Sequence, residues 1–161
     1  MDKRSEAIEL LYRQRFVHFR DGVATITGSY ETARDVVQET FARALRKRRS
    51  FRGEGSLEAW VWKIAVRTAH EQRRQASGAN LNGTIEAALV EPERDAALAE
   101  ALRTLPVKRR LIVFLRYFAD LSYAQIAEVC EVSEGTVGAT LAQARAALED
   151  MLKEEGARGS N

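Results

Sequence analysis

Apolar residues recur along this chain at intervals of three and four, the spacing that gathers them on one face of a helix. Ile8, Leu11, Tyr12, Phe16 and Phe19 make the first stripe, which continues through Val23 and Ile26 to a stop at Gly28. Ser29 offers the cap of a second helix, from about Tyr30 to Arg49, that buries Ala33, Val37, Phe41, Ala44 and Leu45 and ends in a basic run from Arg46 to Gly53. Ser56 caps a third, with Leu57, Trp60, Val61, Ile64, Ala65 and Thr68 as its core face. Trp62, Lys63, Arg67, His70, Arg73 and Arg74 fall outside that stripe or at its edge. Trp60 is thus expected in the core, and Trp62 at the surface.

The pattern then breaks. Residues 76–94 bring Ser, Gly, Asn, Gly and Pro in quick succession and read as a linker. Beyond it, Leu98, Ala101, Leu102 and Leu105 form a short stripe ahead of Pro106, whose fixed φ suits the first turn of a further helix. Leu111, Phe114, Leu115 and Phe118 are that helix's apolar face, with Lys108, Arg109 and Arg110 on the opposite side near its start. The helix dipole disfavours cations there, so the cluster either serves an outside partner or snorkels over the surface.

The stretch from Leu121 to Leu148 predicts two short helices joined by a tight turn. Ser122 followed by Gln125 is a capping box that starts a helix at Tyr123, with Ile126, Val129 and Cys130 on its inner side and Ala127 allowing close approach. Ser133 caps the second helix, whose stripe is Val137, Leu141, Ala144 and Leu148. Glu134, Thr136, Gly138, Ala139, Thr140 and Gln143 are left off the core, where they are able to meet base edges. Two amphipathic helices and a turn are equally compatible with plain core packing.

Composition narrows the class. Two prolines in 161 residues, with little sustained alternation of polar and apolar positions, predict an all-α protein of two small helical domains joined by a flexible linker: 5–75, 95–152, and a polar tail, 153–161, that reads as disordered. No signal-like start and no apolar run near membrane-spanning length is present, so a soluble cytoplasmic protein without membrane insertion is expected. The net charge of +2 hides an asymmetry: residues 1–75 carry 16 Lys and Arg against 10 Asp and Glu, whereas residues 76–161 carry 9 against 13. Attraction to phosphate therefore belongs to the front half. Catalysis finds no footing. His18 and His70 lie in different helices, Cys130 is alone, and no zinc spacing, Gly-rich phosphate loop or nucleophile elbow occurs, so no catalytic residue, metal or cofactor is expected.

Three segments in series, DVVQETFARAL (Asp35 to Leu45), SLEAWVWKIAVRTAHEQRR (Ser56 to Arg74) and LPVKRRLIVFLRYFADLSYAQIAEVCEVSEGTVGATLAQARAAL (Leu105 to Leu148), resemble regions 2 and 4 of the extracytoplasmic-function (ECF) sigma factors. The resemblance spans nearly the whole chain apart from the linker and ends. It implies a subunit that binds core RNA polymerase as a monomer within the holoenzyme, opens promoter DNA with its front domain and reads the upstream element with its rear one. An anti-sigma factor that occludes both domains is implied as a further partner.

Carried over residue by residue, Asp35, Gln38, Glu39 and Arg43 match the clamp-contacting surface. Phe51, Arg52, Gly53 and Glu54, up to Gly55, match a loop that captures an unstacked base; Trp62, Lys63, Arg67, His70, Arg73 and Arg74 would add stacking and a basic groove. Arg109, Arg110, Ser122, Tyr123, Gln125, Ser133, Glu134, Thr136, Gly138, Ala139, Thr140, Gln143 and Arg145 fall in the upstream-element domain. The chain also departs from the family pattern. Gly138 and Thr140 replace a basic residue and an arginine, Arg67 stands where asparagine is frequent, and Glu71 where aspartate is. Glu131 replaces a glycine in the turn, where left-handed backbone costs a side-chain-bearing residue roughly 1–2 kcal/mol. Two other readings are a stand-alone helix-turn-helix regulator, normally a dimer, and a sigma-like interaction protein that no longer recognises promoters.

Overall fold

The computed structural model describes residues 2–76 and 104–159. Within them every regular element is helical, and the helices expected after Ser29, Ser56, Ser122 and Ser133 start at those caps. Asp2 accepts from the Ser5 N–H at 2.7 Å and opens α1 (Lys3–Thr27), which Gly28 ends in the left-handed conformation at φ 79°. Ser29 caps α2 (Tyr30–Arg46) and Ser56 caps α3 (Leu57–Gln75), each hydroxyl accepting from the backbone N–H three residues on. Together α1, α2 and α3 pack as a front unit around Phe19, Val23, Val37, Phe41, Val61 and Ala65.

The rear unit comprises α4 (Val107–Tyr117), α5 (Tyr123–Cys130) and α6 (Glu134–Gly159). Both halves of the Ser122–Gln125 capping box form, and the Ser133 hydroxyl accepts from the Thr136 N–H at 3.0 Å. Leu111, Phe114, Leu115, Ile126, Val137 and Leu141 make its interior.

Several expectations need correction. The second helix ends at Arg46, not Arg49. Lys47 leaves the helix, Arg48–Ser50 forms a 3-10 turn, and the freed carbonyls of Leu45 and Lys47 accept from the Arg48 guanidinium and the Ser50 hydroxyl. Leu45, placed in the core by periodicity, is 38% exposed because it lies on the last turn, past the helices that would cover it. The segment read as a disordered tail continues α6 to Gly159, since Lys, Glu and Ala are good helix formers and the sequence there lacks proline. The rest of the linker beyond Ala76, and the stripe of Leu98, Ala101 and Leu102, lie outside the described residues.

The two helical units also touch one another. Their interiors merge into one apolar cluster where α4 packs on α1 and α5 on α3. At the junction Trp62 stacks on Phe19 (centroids 4.1 Å apart) and meets the edge of Phe114 from the rear unit at 6.1 Å. Gly22 makes this approach possible: a Cβ there would stand 2.6 Å from Trp62 Cη2 and 2.8 Å from Phe114 Cε1.

Candidate nucleic-acid and polymerase interface

Along α2, burial of Ala33, Val36, Val37, Thr40, Phe41 and Ala44 turns Asp35, Gln38 and Glu39 outward, and all three are exposed. Glu39 accepts from Arg43 at 3.0 Å and Arg46 at 3.2 Å, which holds its carboxyl below the usual range. Arg43 is not free for an outside partner. Its guanidinium also reaches Glu71 at 2.8 Å and the Thr68 hydroxyl at 3.3 Å, pinning α2 to α3. Beside Gln38 runs an apolar groove of about 470 Å³ lined by Ile8, Tyr12, Phe41, Ala42 and Leu45. The sequence reading missed it, because a leucine or tyrosine on a stripe has no signal of exposure.

After the 3-10 turn, Arg52, Gly53, Glu54 and Gly55 form an exposed loop, with both glycines in positive φ. The Cβ position at each is open, so backbone conformation rather than space calls for glycine there. Asp2 anchors the turn through Arg48 at 2.7 Å. The aromatic pair at this loop is Phe51 with Trp60, centroids 5.4 Å apart and both half-buried. This reverses the expectation for the two tryptophans. Trp62 is fully buried, since α3 is covered on two sides, by α1 and by the rear unit, and one stripe cannot describe a helix with two buried faces.

Farther along α3, Arg67, His70 and Arg74 are exposed, while Lys63 and Arg73 are half-buried. Partial burial, and then the charges of Arg73 and Arg74, push the His70 pKa below its ordinary value. Arg67 is paired with Glu131 of the helix-turn-helix turn at 2.8 Å, which lowers the Glu131 pKa. Between α3 and the rear unit lies a cleft of about 350 Å³ whose lining includes Arg67, His70, Arg73, Lys108 and Glu131.

In the rear unit, Glu131 keeps the left-handed backbone that the turn requires, at φ 56° and ψ 47°. The α5–turn–α6 unit is thus a complete helix-turn-helix. Ser133, Glu134, Thr136, Ala139, Gln143 and Arg145 are exposed along α6, and Gly138 and Thr140 are half-buried. Gly138 sits close to α5, where a Cβ would stand 3.7 Å from the Tyr123 ring. Tyr123 is exposed under the Arg116 guanidinium, and Arg145 donates to the Tyr117 hydroxyl at 2.6 Å. Ser122 is exposed, whereas the Gln125 amide donates to the Ser56 hydroxyl of the front unit at 3.1 Å. Arg109 is exposed, but Arg110 is 5% exposed, with burial and Arg73 lowering its pKa. Its placement among DNA-facing cations therefore fails in this arrangement, because the rear unit turns that side of α4 inward.

Cys130 is partly buried and its thiol pKa is pushed up to about 11, the profile of an unreactive thiol. Among the described residues no group of three His, Cys, Asp or Glu side chains is placed to hold a metal, and no helix is long and apolar enough to cross a membrane.

Residues 13–78 match the family model of sigma-70 region 2, and residues 95–148 that of sigma-70 region 4. The chain is 31% identical over 160 residues to the RNA polymerase sigma factor YlaC of Bacillus subtilis, covering 91% of this chain and 92% of that protein. It is 32% identical over 162 residues to the ECF RNA polymerase sigma-E factor of Escherichia coli, covering 85% and 84%. Among solved structures, the fold matches the sigma factor RpoE in complex with the anti-sigma factor NepR from Bartonella quintana with a TM-score of 0.72, at 22% identity over 90% of this chain and 97% of that one. CnrH in complex with the cytosolic domain of CnrY matches with a TM-score of 0.68, at 21% identity over 92% and 89%. A stand-alone regulator would leave the region 2 match without a role. The chain belongs to the extracytoplasmic-function subfamily of RNA polymerase sigma factors, which act in transcription initiation.

Proposed function

We propose that the two units divide the work of initiation: the front unit, 5–75, holds core polymerase and opens the promoter, and the rear unit, 95–152, reads the upstream element. Sigma factors are non-enzymatic initiation factors that bind core RNA polymerase and promoter DNA. For this chain, Asp35, Gln38 and Glu39 are the polymerase-contacting residues. The observation that carries this is their joint exposure on α2, with Gln38 at the apolar groove and Asp35 and Glu39 on the side toward α3, polar groups next to apolar surface, which is the anatomy of a protein interface. Arg43 supports the surface from behind by holding α2 against α3.

The exposed loop from Arg52 to Gly55, with Phe51 and Trp60 behind it, is the element that captures an unstacked promoter base. Lys63, Arg67, Arg73 and Arg74 run along the same helix and supply the cations that single-stranded DNA needs, with the His70 imidazole among them. Upstream readout falls to Thr136, Ala139, Thr140, Gln143 and Arg145. A recognition helix with so few cations reads bases through amide, hydroxyl and methyl contacts and DNA shape more than through arginine–guanine pairs. Of the solved structures with this fold, RpoE is seen with the anti-sigma factor NepR and CnrH with the cytosolic domain of CnrY. A partner of that kind, binding a monomeric sigma factor, is part of this reading, as is action on cytoplasmic polymerase.

Transcription of fragmented genomic DNA by bacterial core polymerase, with and without the purified protein and with start sites mapped, tests the whole scheme. Protein-dependent starts that share upstream motifs are expected. Absence of new starts beside an active control sigma factor would reject it. Asp35→Ala with Gln38→Ala is expected to weaken polymerase binding while circular dichroism stays unchanged.

A further inference from the structure

Two side chains that depart from the family pattern in separate regions, Arg67 and Glu131, meet each other across the junction of the two units, 64 positions apart and 2.8 Å from nitrogen to oxygen. Glu131 occupies the left-handed position of the turn, where the family has glycine and no carboxylate, and Lys63 is also within its electrostatic reach. Two further bonds close the same junction: Gln125 to Ser56 at 3.1 Å, and the Arg15 guanidinium to the Ala119 carbonyl at 3.5 Å. Arg67 and Gln125 are thus both engaged within the chain, although both belong to the proposed DNA surfaces.

The junction also carries features of a separable contact. The Trp62 indole Nε1 is buried without a hydrogen-bond partner, and so is Arg110 Nε, which lies on the side of α4 influenced by Arg73. Buried unsatisfied donors and like charges across an interface oppose closure. The edge contact of Trp62 with Phe114 and the close approach at Gly22 favour it. An assembly with such opposed contributions is suited to opening.

We propose that the α5–α6 turn is an intramolecular cover for the promoter-strand face of α3, in which the Glu131 carboxylate occupies the place of a DNA phosphate against Arg67, so that closure and single-strand binding exclude each other. This rests on α3 being the strand-binding helix. DNA affinity is then reduced by the fraction of molecules that are closed, and weakening the cover raises it.

The test combines a distance and an affinity. Spin labels at Arg13→Cys and Glu149→Cys, both exposed and outside the junction, in a Cys130→Ala background report the separation of the units in the full chain without polymerase or DNA. The parent should show a short, narrow distance distribution, and Glu131→Arg a longer, broader one. Adding Arg67→Glu to Glu131→Arg should restore the short distance by recreating the pair with its charges exchanged. Glu131→Gln should bind fluorescein-labelled single-stranded DNA roughly two- to fivefold more tightly than the parent, the range for loss of an exposed ion pair. Glu131→Gly, which removes the pair and relaxes the turn together, should do the same. Distances that ignore the charge at position 131 would overturn the cover. Distances that respond to it while DNA changes neither distance nor affinity would instead overturn the reading of α3 as the strand-binding face.

Discussion

The front and rear units carry opposite endowments of charge. The front unit presents cations in quantity and ties several of them into ion pairs, Arg43 with Glu39 and Glu71, Arg15 with Glu58, and Arg48 with Asp2. The rear unit is held by caps and apolar packing, and its recognition helix exposes Arg145 among mainly neutral side chains. Phosphate attraction scales with the number of cations, whereas base discrimination depends on a few well-placed groups. The proposed division thus concentrates affinity in the front and selectivity in the rear, and under it a variant in one unit should leave the other unit's signature intact.

The largest effect separates two tryptophans two residues apart. Trp62→Ala is expected to destabilise the fold by about 3–5 kcal/mol, since it empties the space between Phe19 and Phe114. Trp60→Ala, which removes a half-buried ring, should lower the denaturant midpoint by clearly less than Trp62→Ala but lose about 1–3 kcal/mol of single-stranded DNA binding, the contribution of one aromatic stacking platform. Equal stability losses in urea denaturation would break the distinction between a core and a half-buried tryptophan.

A smaller pair of effects contrasts the units directly. Lys63→Ala should weaken DNA binding alike for all sequences and reduce the slope of log affinity against log salt by about one. Gln143→Ala should leave that slope unchanged and alter preference at one or two upstream bases. A salt titration on a set of promoter variants measures both. A changed slope in Gln143→Ala would mean that the recognition helix works through phosphates.

The smallest effect is a pH dependence from His70. Its folded pKa lies below the ordinary value of 6.5, so the unfolded chain binds the proton more readily. This contribution to stability is complete above about pH 6.5 and is lost as the pH falls through the lower, folded value. Thermal unfolding between pH 7.5 and 5 should show a decline that His70→Gln makes shallower. An identical decline in both proteins would remove His70 as its source.

What was legible in the sequence is local. Ser29, Ser56, Ser122 and Ser133 announced helix starts, and Gly28 a helix end, because a cap is a bond closed within three or four residues and its partners are visible in the same short window. Three motifs in the right order likewise named the family, because their spacing is a property of the chain itself. The periodicity of α3 was also read correctly for Val61, Ala65 and Thr68, which are buried.

The remaining features depended on neighbours distant in sequence. Trp62 is interior because Phe114, fifty-two positions later, lies against it; Arg110 is buried, Gln125 engaged and Glu131 paired for the same reason. A stripe records that a helix has an apolar face, but not how many neighbours cover it or from which side. The sequence by itself therefore determined the helical class, the serine-capped helix starts, the end of the first helix at Gly28 and the family. Only the tertiary structure decided which surfaces the two units leave open, because exposure is set by what occupies the adjoining space.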